Sequence, residues 1–87
     1  MRYIYSNRNL ICVDKISLME IIQDDIVFTL DSGRKLIVFS TKKSDDLEYV
    51  FKVLSKEICR DNYNIDMIEF QLHMKNYHGI EEGTWYL

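Results

Sequence analysis

Proline and alanine are both absent from this 87-residue chain, glycine occurs three times and cysteine twice. Each scarcity closes a class. Two cysteines, Cys12 in LICVD and Cys59 in KEICR, are too few for the disulfide framework of a small secreted domain. Their apolar neighbours suit buried free thiols in a reducing cytosol. No stretch approaches the run of about 20 apolar residues that a membrane-spanning helix requires. The start, MRYIYSNRN, lacks the apolar centre of a secretory signal, so a cytoplasmic protein is expected. Basic residues do not dominate: 11 Lys and Arg against 14 Asp and Glu leave a net charge of −3, the wrong sign for non-specific attachment to a nucleic-acid backbone. Gly33 stands alone, and Gly79 and Gly83 flank IEE, so no phosphate-cradling loop is present. With no linker-like tract, internal repeat or low-complexity segment, residues 1–87 read as one small domain.

What is there is a good folding sequence. Apolar residues make up 47% of the chain, which carries six Tyr, four Phe and one Trp, enough for a packed core. The clearest stretch runs from Asp25 to Arg60. Asp31-Ser32-Gly33 places turn formers between the β-branched runs Ile26–Leu30 and Lys35–Ser40, with Gly33 free to take the positive φ of a three-residue hairpin. Ser44 then reads as the cap of a helix from Asp45 to about Arg60, with Leu47, Val50, Phe51, Leu54 and Ile58 on one stripe. Asp45, Asp46 and Glu48 lie near its start and Lys52, Lys56 and Arg60 towards its end, as the helix dipole favours.

Upstream, Arg2–Ser6, Leu10–Val13 and Ile16–Ile22 read as further short strands, with turns at Asn7-Arg8-Asn9, Asp14-Lys15 and Gln23-Asp24-Asp25. The connections are too short for parallel crossovers, which predicts an antiparallel meander of four to five strands packed by one amphipathic helix. The C-terminal part carries two conflicting signals. Ile68–Lys75 alternates apolar and polar residues as a half-buried strand does, whereas Asn64 and Gly79 resemble the caps of a second helix. In a helix Ile65, Ile68 and Leu72 would oppose Phe70 and Met74, so the alternation weighs towards a strand. The fold class is therefore α+β, with a C-terminal strand or second helix. The order of strands and closing helix resembles a pleckstrin-homology-like or similar small half-barrel, a likeness that carries no function.

Chemistry-bearing groups do not converge in the sequence. His73 and His78 are the only histidines, and a separation of five residues suits neither one helical face nor one strand face. No zinc-ligand spacing is present, and Glu81-Glu82 reads as a solvated acidic turn. Cys59 has only Arg60 beside it, which falls short of an activated nucleophile. Asp24-Asp25 reads as a turn and Asp45-Asp46 as a helix start, rather than as carboxylates facing across a cleft. No catalytic, cofactor or metal site is expected, and no enzyme.

The aromatic residues are the better lead. Tyr3 and Tyr5 share a strand face, and Tyr63, Tyr77, Trp85 and Tyr86 crowd the C-terminal part. Tyr and Trp are favoured in protein interfaces because they bury large area with one polar handle. GTWYL is an unusual ending, since termini tend to be polar, so it is expected to dock on its own domain or on another chain. Residues 44–87 carry four basic side chains against nine acidic, including Glu81 and Glu82, and that acidic half could face a basic partner. Tyr3, Tyr5, Tyr77, Trp85, Tyr86, Glu81 and Glu82 are the candidate partner-binding residues. Stacking of bases on these aromatics would need a basic surround, and the strand region offers only Arg2, Arg8, Arg34 and Lys35.

The absence of Pro and Ala, with plentiful Ile, Asn, Lys and Tyr, follows AT-rich codons. In composition and length the chain resembles the short proteins carried by phages and mobile elements of AT-rich bacteria. That resemblance implies a non-enzymatic, protein-binding inhibitor of a host defence or regulatory protein, of the kind anti-CRISPR proteins represent. The alternatives are a self-associating domain, dimerised through an edge strand and the C-terminal tail, and a small ligand-binding domain or enzyme using His73 and His78.

Overall fold

The hairpin read at Asp31–Gly33 is present in the computed structural model, which describes residues 1–60 and 63–87. Strands β1 (Tyr3–Tyr5), β2 (Leu10–Cys12), β3 (Ile16–Ile22), β4 (Asp25–Leu30) and β5 (Lys35–Ser40) are followed by helix α1 (Ser44–Cys59). Strand β6 (Ile65–Asp66), helix α2 (Met67–His78) and strand β7 (Thr84–Trp85) complete the order, and a 3₁₀ turn, Val13–Lys15, joins β2 to β3. At the β4–β5 turn Gly33 N–H donates to Leu30 C=O at 2.8 Å and Leu30 N–H to Arg34 C=O at 2.8 Å. Gly33 closes this three-residue loop at φ 90°, where a Cβ would be strained.

The fold is α+β, and its strands divide into two sheets. Four strands lie in the order β3-β4-β5-β7, every neighbour antiparallel. Three more lie in the order β2-β1-β6, with β1 antiparallel to β2 and parallel to β6. The expected meander is thus β3-β4-β5, and its fourth strand comes from the C-terminal tail rather than from the N-terminal strands. The parallel β1–β6 pair is possible because β2 to α1 supplies the long crossover that parallel neighbours need. A bulge in β5 opposite Ile26 and Val27 lets the successive residues Val38 and Phe39 both enter the core.

Helix α1 buries Leu47, Val50 and Leu54, with Phe51 and Ile58 half-buried beside them, so the predicted stripe is the packed one. Each of the three buried side chains contributes roughly 1.5–3 kcal/mol, and the half-buried pair less. Its start differs from the reading above: Lys43 occupies the cap position without a side-chain hydrogen bond, and Ser44 is the first helical residue. The opposite end is held by Arg2, whose guanidinium donates to the carbonyls of Glu57 (2.9 Å), Ile58 (2.6 Å) and Tyr63 (2.9 Å). A cation on the last carbonyls satisfies acceptors that the helix leaves open and complements its dipole.

The alternating C-terminal segment is a helix, not a strand. Asp66, rather than Asn64, caps it, accepting from Ile68 N–H at 2.9 Å and Glu69 N–H at 3.3 Å. Its buried residues are Met67, Phe70 and Met74, spaced three and four apart, whereas Leu72 is 50% exposed. Gly79 ends it in the left-handed conformation, and the following Ile80 is buried. Beyond it the tail docks on its own domain. Trp85 stacks on Phe39 with centroids 4.3 Å apart and meets Phe70 edge-on at 5.9 Å, while Leu87 packs against the same core.

Candidate functional site

Both helices contribute to a core built on Ile26, Phe28, Val38 and Phe39, which face one side of the four-stranded sheet. Alternation along the strands sends their neighbours to the other side. The register aligns Leu18 with Thr29, Glu20 with Val27, and Ile22 with Asp25 across β3 and β4, and Val27 with Ile37 across β4 and β5. The outer face therefore carries Leu18, Ile22, Val27 and Ile37. Leu18 is 48% and Ile37 41% exposed, while Val27 between them is only 5% exposed yet stands apart from the core. Thr29 Oγ1, on the same face, is buried without a hydrogen-bond partner among the described residues. Leu18 and Ile22 on β3 and Ile37 on β5, flanking the buried Val27, make an apolar patch that folding leaves open to water.

This face adjoins a free edge. β3 ends the sheet among the described residues, and its seven residues, ISLMEII, include one charge and no Lys, Arg or Pro. The main-chain groups of an edge strand are templates for a further strand, and this edge lacks the cationic or proline guards that commonly blunt one. Beside the β3–β4 turn, a cleft of about 440 Å³ is lined by Asp24, Asp25, Ser40, Thr84 and Tyr86 among others. The Ser40 hydroxyl donates to the Asp25 carboxylate there. Gln23, in the β3–β4 turn, holds φ 55°, a left-handed value uncommon for a residue with a Cβ.

The residues singled out from sequence are dispersed over the molecule. Tyr3 and Tyr5 sit on β1 in the three-stranded sheet, and the Tyr3 hydroxyl lies 3.3 Å from Met1 Sδ. Trp85 is half-buried in the aromatic contact with Phe39 and Phe70, so its ring serves the core. Tyr86 is exposed and borders the cleft just described. Tyr77 is exposed at the end of α2. Glu81 and Glu82 are exposed, and Glu82 pairs with Lys43 at 3.5 Å, linking the loop before β7 to the start of α1. Of the two thiols, Cys12 is half-buried, while Cys59 is exposed rather than buried because it occupies the solvent side of the last turn of α1.

The histidines, expected to stand apart, meet. His73 Nε2 and His78 Nε2 are 3.3 Å apart, and His78 Nδ1 is 2.8 Å from the Tyr49 hydroxyl of α1. Tyr77 lies against His73 with ring centroids 4.9 Å apart. In a regular helix five residues turn about 500°, which leaves the two positions about 140° apart. The contact arises because His78 is the last helical residue and its ring is held towards α1 by Tyr49. Among the described residues no group of three or more His, Cys, Asp or Glu side chains is arranged to hold a metal ion.

No family model matches the chain, and neither a curated protein nor a solved structure matches it. Among the described residues no helix is long and apolar enough to cross a membrane.

The sheet face was legible only in part. Ile16–Ile22 is recognisable as a strand, but which of its residues face outwards depends on where the helices pack, and that is not local information.

Proposed function

We propose that this chain is a non-enzymatic protein-binding domain that presents the outer face of its four-stranded sheet and the adjoining β3 edge to a partner protein. One observation carries the reading: Leu18, Ile22 and Ile37 remain exposed around Val27 on a sheet whose other face is covered by the core. Removing these aliphatic side chains from water on docking would drive association, and acidic neighbours such as Glu20 and Asp25 would orient the partner. Tyr86, at the cleft beside this face, supplies an aromatic anchor. The composition shared with short phage-borne proteins supports a host defence or regulatory protein as the partner, blocked by occlusion.

The test compares the tagged protein with a Leu18→Lys/Ile37→Lys double variant in capture from bacterial lysate. Both positions are exposed, so the variant keeps its core. Removal of a hot spot costs about 2 kcal/mol or more, about thirtyfold in Kd. The expected result is one protein recovered at near-equal stoichiometry by the parent chain and lost from the variant. Equal recovery by both chains overturns the assignment of this face.

A second reading, a homodimer formed by pairing two β3 edges, is favoured by the unguarded sequence of that strand. Light scattering after gel filtration separates the two. A monomer mass at every concentration removes the homodimer, and a dimer mass that the double variant loses supports it.

A further inference from the structure

On the helical side of the molecule, away from the outer sheet face, the meeting of His73 and His78 has the geometry of a chelate. A tetrahedral zinc ion holds imidazole nitrogens at about 2.0–2.1 Å, which places two such nitrogens about 3.3–3.4 Å from each other. The two Nε2 atoms are 3.3 Å apart, which is the separation such an ion requires. We propose that His73 and His78 form a two-imidazole site for a borderline divalent transition-metal ion, with Zn²⁺ as its representative.

For His78 the surroundings supply what a metal-bound histidine needs. A ligating imidazole offers one nitrogen to the metal and is fixed by a hydrogen bond at the other. His78 Nδ1 already has such a partner in the Tyr49 hydroxyl at 2.8 Å. With metal bound, the His78 proton resides on Nδ1 and is donated to Tyr49 Oη, leaving the Nε2 lone pair for the ion. Without metal, one hydrogen bond joins Tyr49 Oη to His78 Nδ1 and another joins the two Nε2 atoms. Binding of the ion replaces the second of these and needs only a tautomer shift in one ring, with no net proton. Tyr77, against the face of His73, limits the rotation of that ring. Both imidazoles are exposed, so water completes the coordination and the ion exchanges with solvent. The ligand type suits zinc, nickel or copper rather than magnesium or calcium, which prefer oxygen. This site is independent of the proposed sheet interface.

Titration of the full chain with ZnCl₂ by calorimetry is expected to show one saturable equivalent. Long-range ¹H–¹⁵N spectra are expected to show both Nε2 resonances moving and the Nδ1 nitrogens remaining protonated. His73→Gln and His78→Gln, both at exposed positions, should each weaken binding by more than about tenfold, as loss of even an outer-shell partner can. Tyr49→Phe should weaken it about tenfold while leaving both ring nitrogens as ligands. A Cys12→Ser/Cys59→Ser variant should bind as the parent does. Absence of uptake overturns the proposal. So does uptake that survives the double histidine substitution or disappears with the cysteines, since the ion would then sit on thiols or carboxylates.

Discussion

Gly83→Ala should be among the most damaging single-methyl changes in this chain. Gly83 holds φ 127°, a conformation that residues with a Cβ rarely adopt, at the turn into β7. An added Cβ would lie 2.7 Å from Phe39 Cε1 and Cζ and 2.8 Å from the Ser40 carbonyl oxygen. The Phe39 ring is fully buried beneath Trp85 and cannot swing aside, and the carbonyl belongs to the β5 backbone. Backbone strain of this kind costs about 1–3 kcal/mol, and forcing a methyl into a packed site adds about 1–3 kcal/mol. The sum is roughly 2–6 kcal/mol, a large share of the about 5–15 kcal/mol that holds a small domain together. At about 4–8 °C per kcal/mol, the thermal midpoint should fall by about 8 °C or more. The chain can limit the loss only by releasing β7, and then the single tryptophan, Trp85, moves into water and its emission shifts to the red. Gly33→Ala is the internal control. It also requires a positive φ, 90°, but a Cβ there meets nothing within 4 Å, so only the backbone cost applies. Gly83→Ala should therefore cost about 1–3 kcal/mol more than Gly33→Ala in urea unfolding followed by circular dichroism and by Trp85 fluorescence. Equal costs, with unshifted Trp85 emission, would refute the docking of the tail against Phe39.

Leu54 is fully buried at the centre of the α1 stripe, and Leu54→Ala should cost about 2–5 kcal/mol, seen as a lower urea midpoint with an unchanged slope; a loss under about 1 kcal/mol would mean that α1 does not pack as described. Asp66→Ala removes the acceptor of two α2 amides and should cost about 1 kcal/mol, a fall of about 4–8 °C in thermal midpoint, whereas Asn64→Ala should leave the α2 start intact. If Asn64→Ala instead lowered α2 helicity and Asp66→Ala did not, the assigned cap would be wrong.

The elements that could be read from sequence are those whose signals are local. Asp31-Ser32-Gly33 fixes a hairpin because only a few residues accept its dihedral angles, and the α1 stripe declares itself over four turns. Helix α2 was obscured because Ile68, Phe70, Leu72 and Met74 happen to alternate with polar residues. Its real buried set starts at Met67, and Leu72 is half-exposed, so the period of two came partly from a residue outside the core. The β1–β6 pair joins residues 61 apart in sequence through two contacts of register, a length over which no pattern informs. Arg2 illustrates the same limit, since its three carbonyl acceptors lie more than 50 residues away. For function the lesson is sharper. The aromatic count directed attention to Trp85, which is spent on the core, whereas the exposed apolar face consists of aliphatic residues that look like core in the sequence. The histidine pair was missed because helix periodicity describes helix interiors, and His78 is a terminal residue held by Tyr49 from another element.

Hydrogen exchange of the captured complex reports on the outer sheet face amide by amide. Amides of residues 16–22 and 35–40 are expected to gain protection when the partner is bound, while those of α2 and residues 77–82 exchange as in the free protein. New protection confined to residues 77–87 and β1, with β3 and β5 unchanged, would contradict the account and place the interface on the dispersed tyrosines and the acidic loop instead.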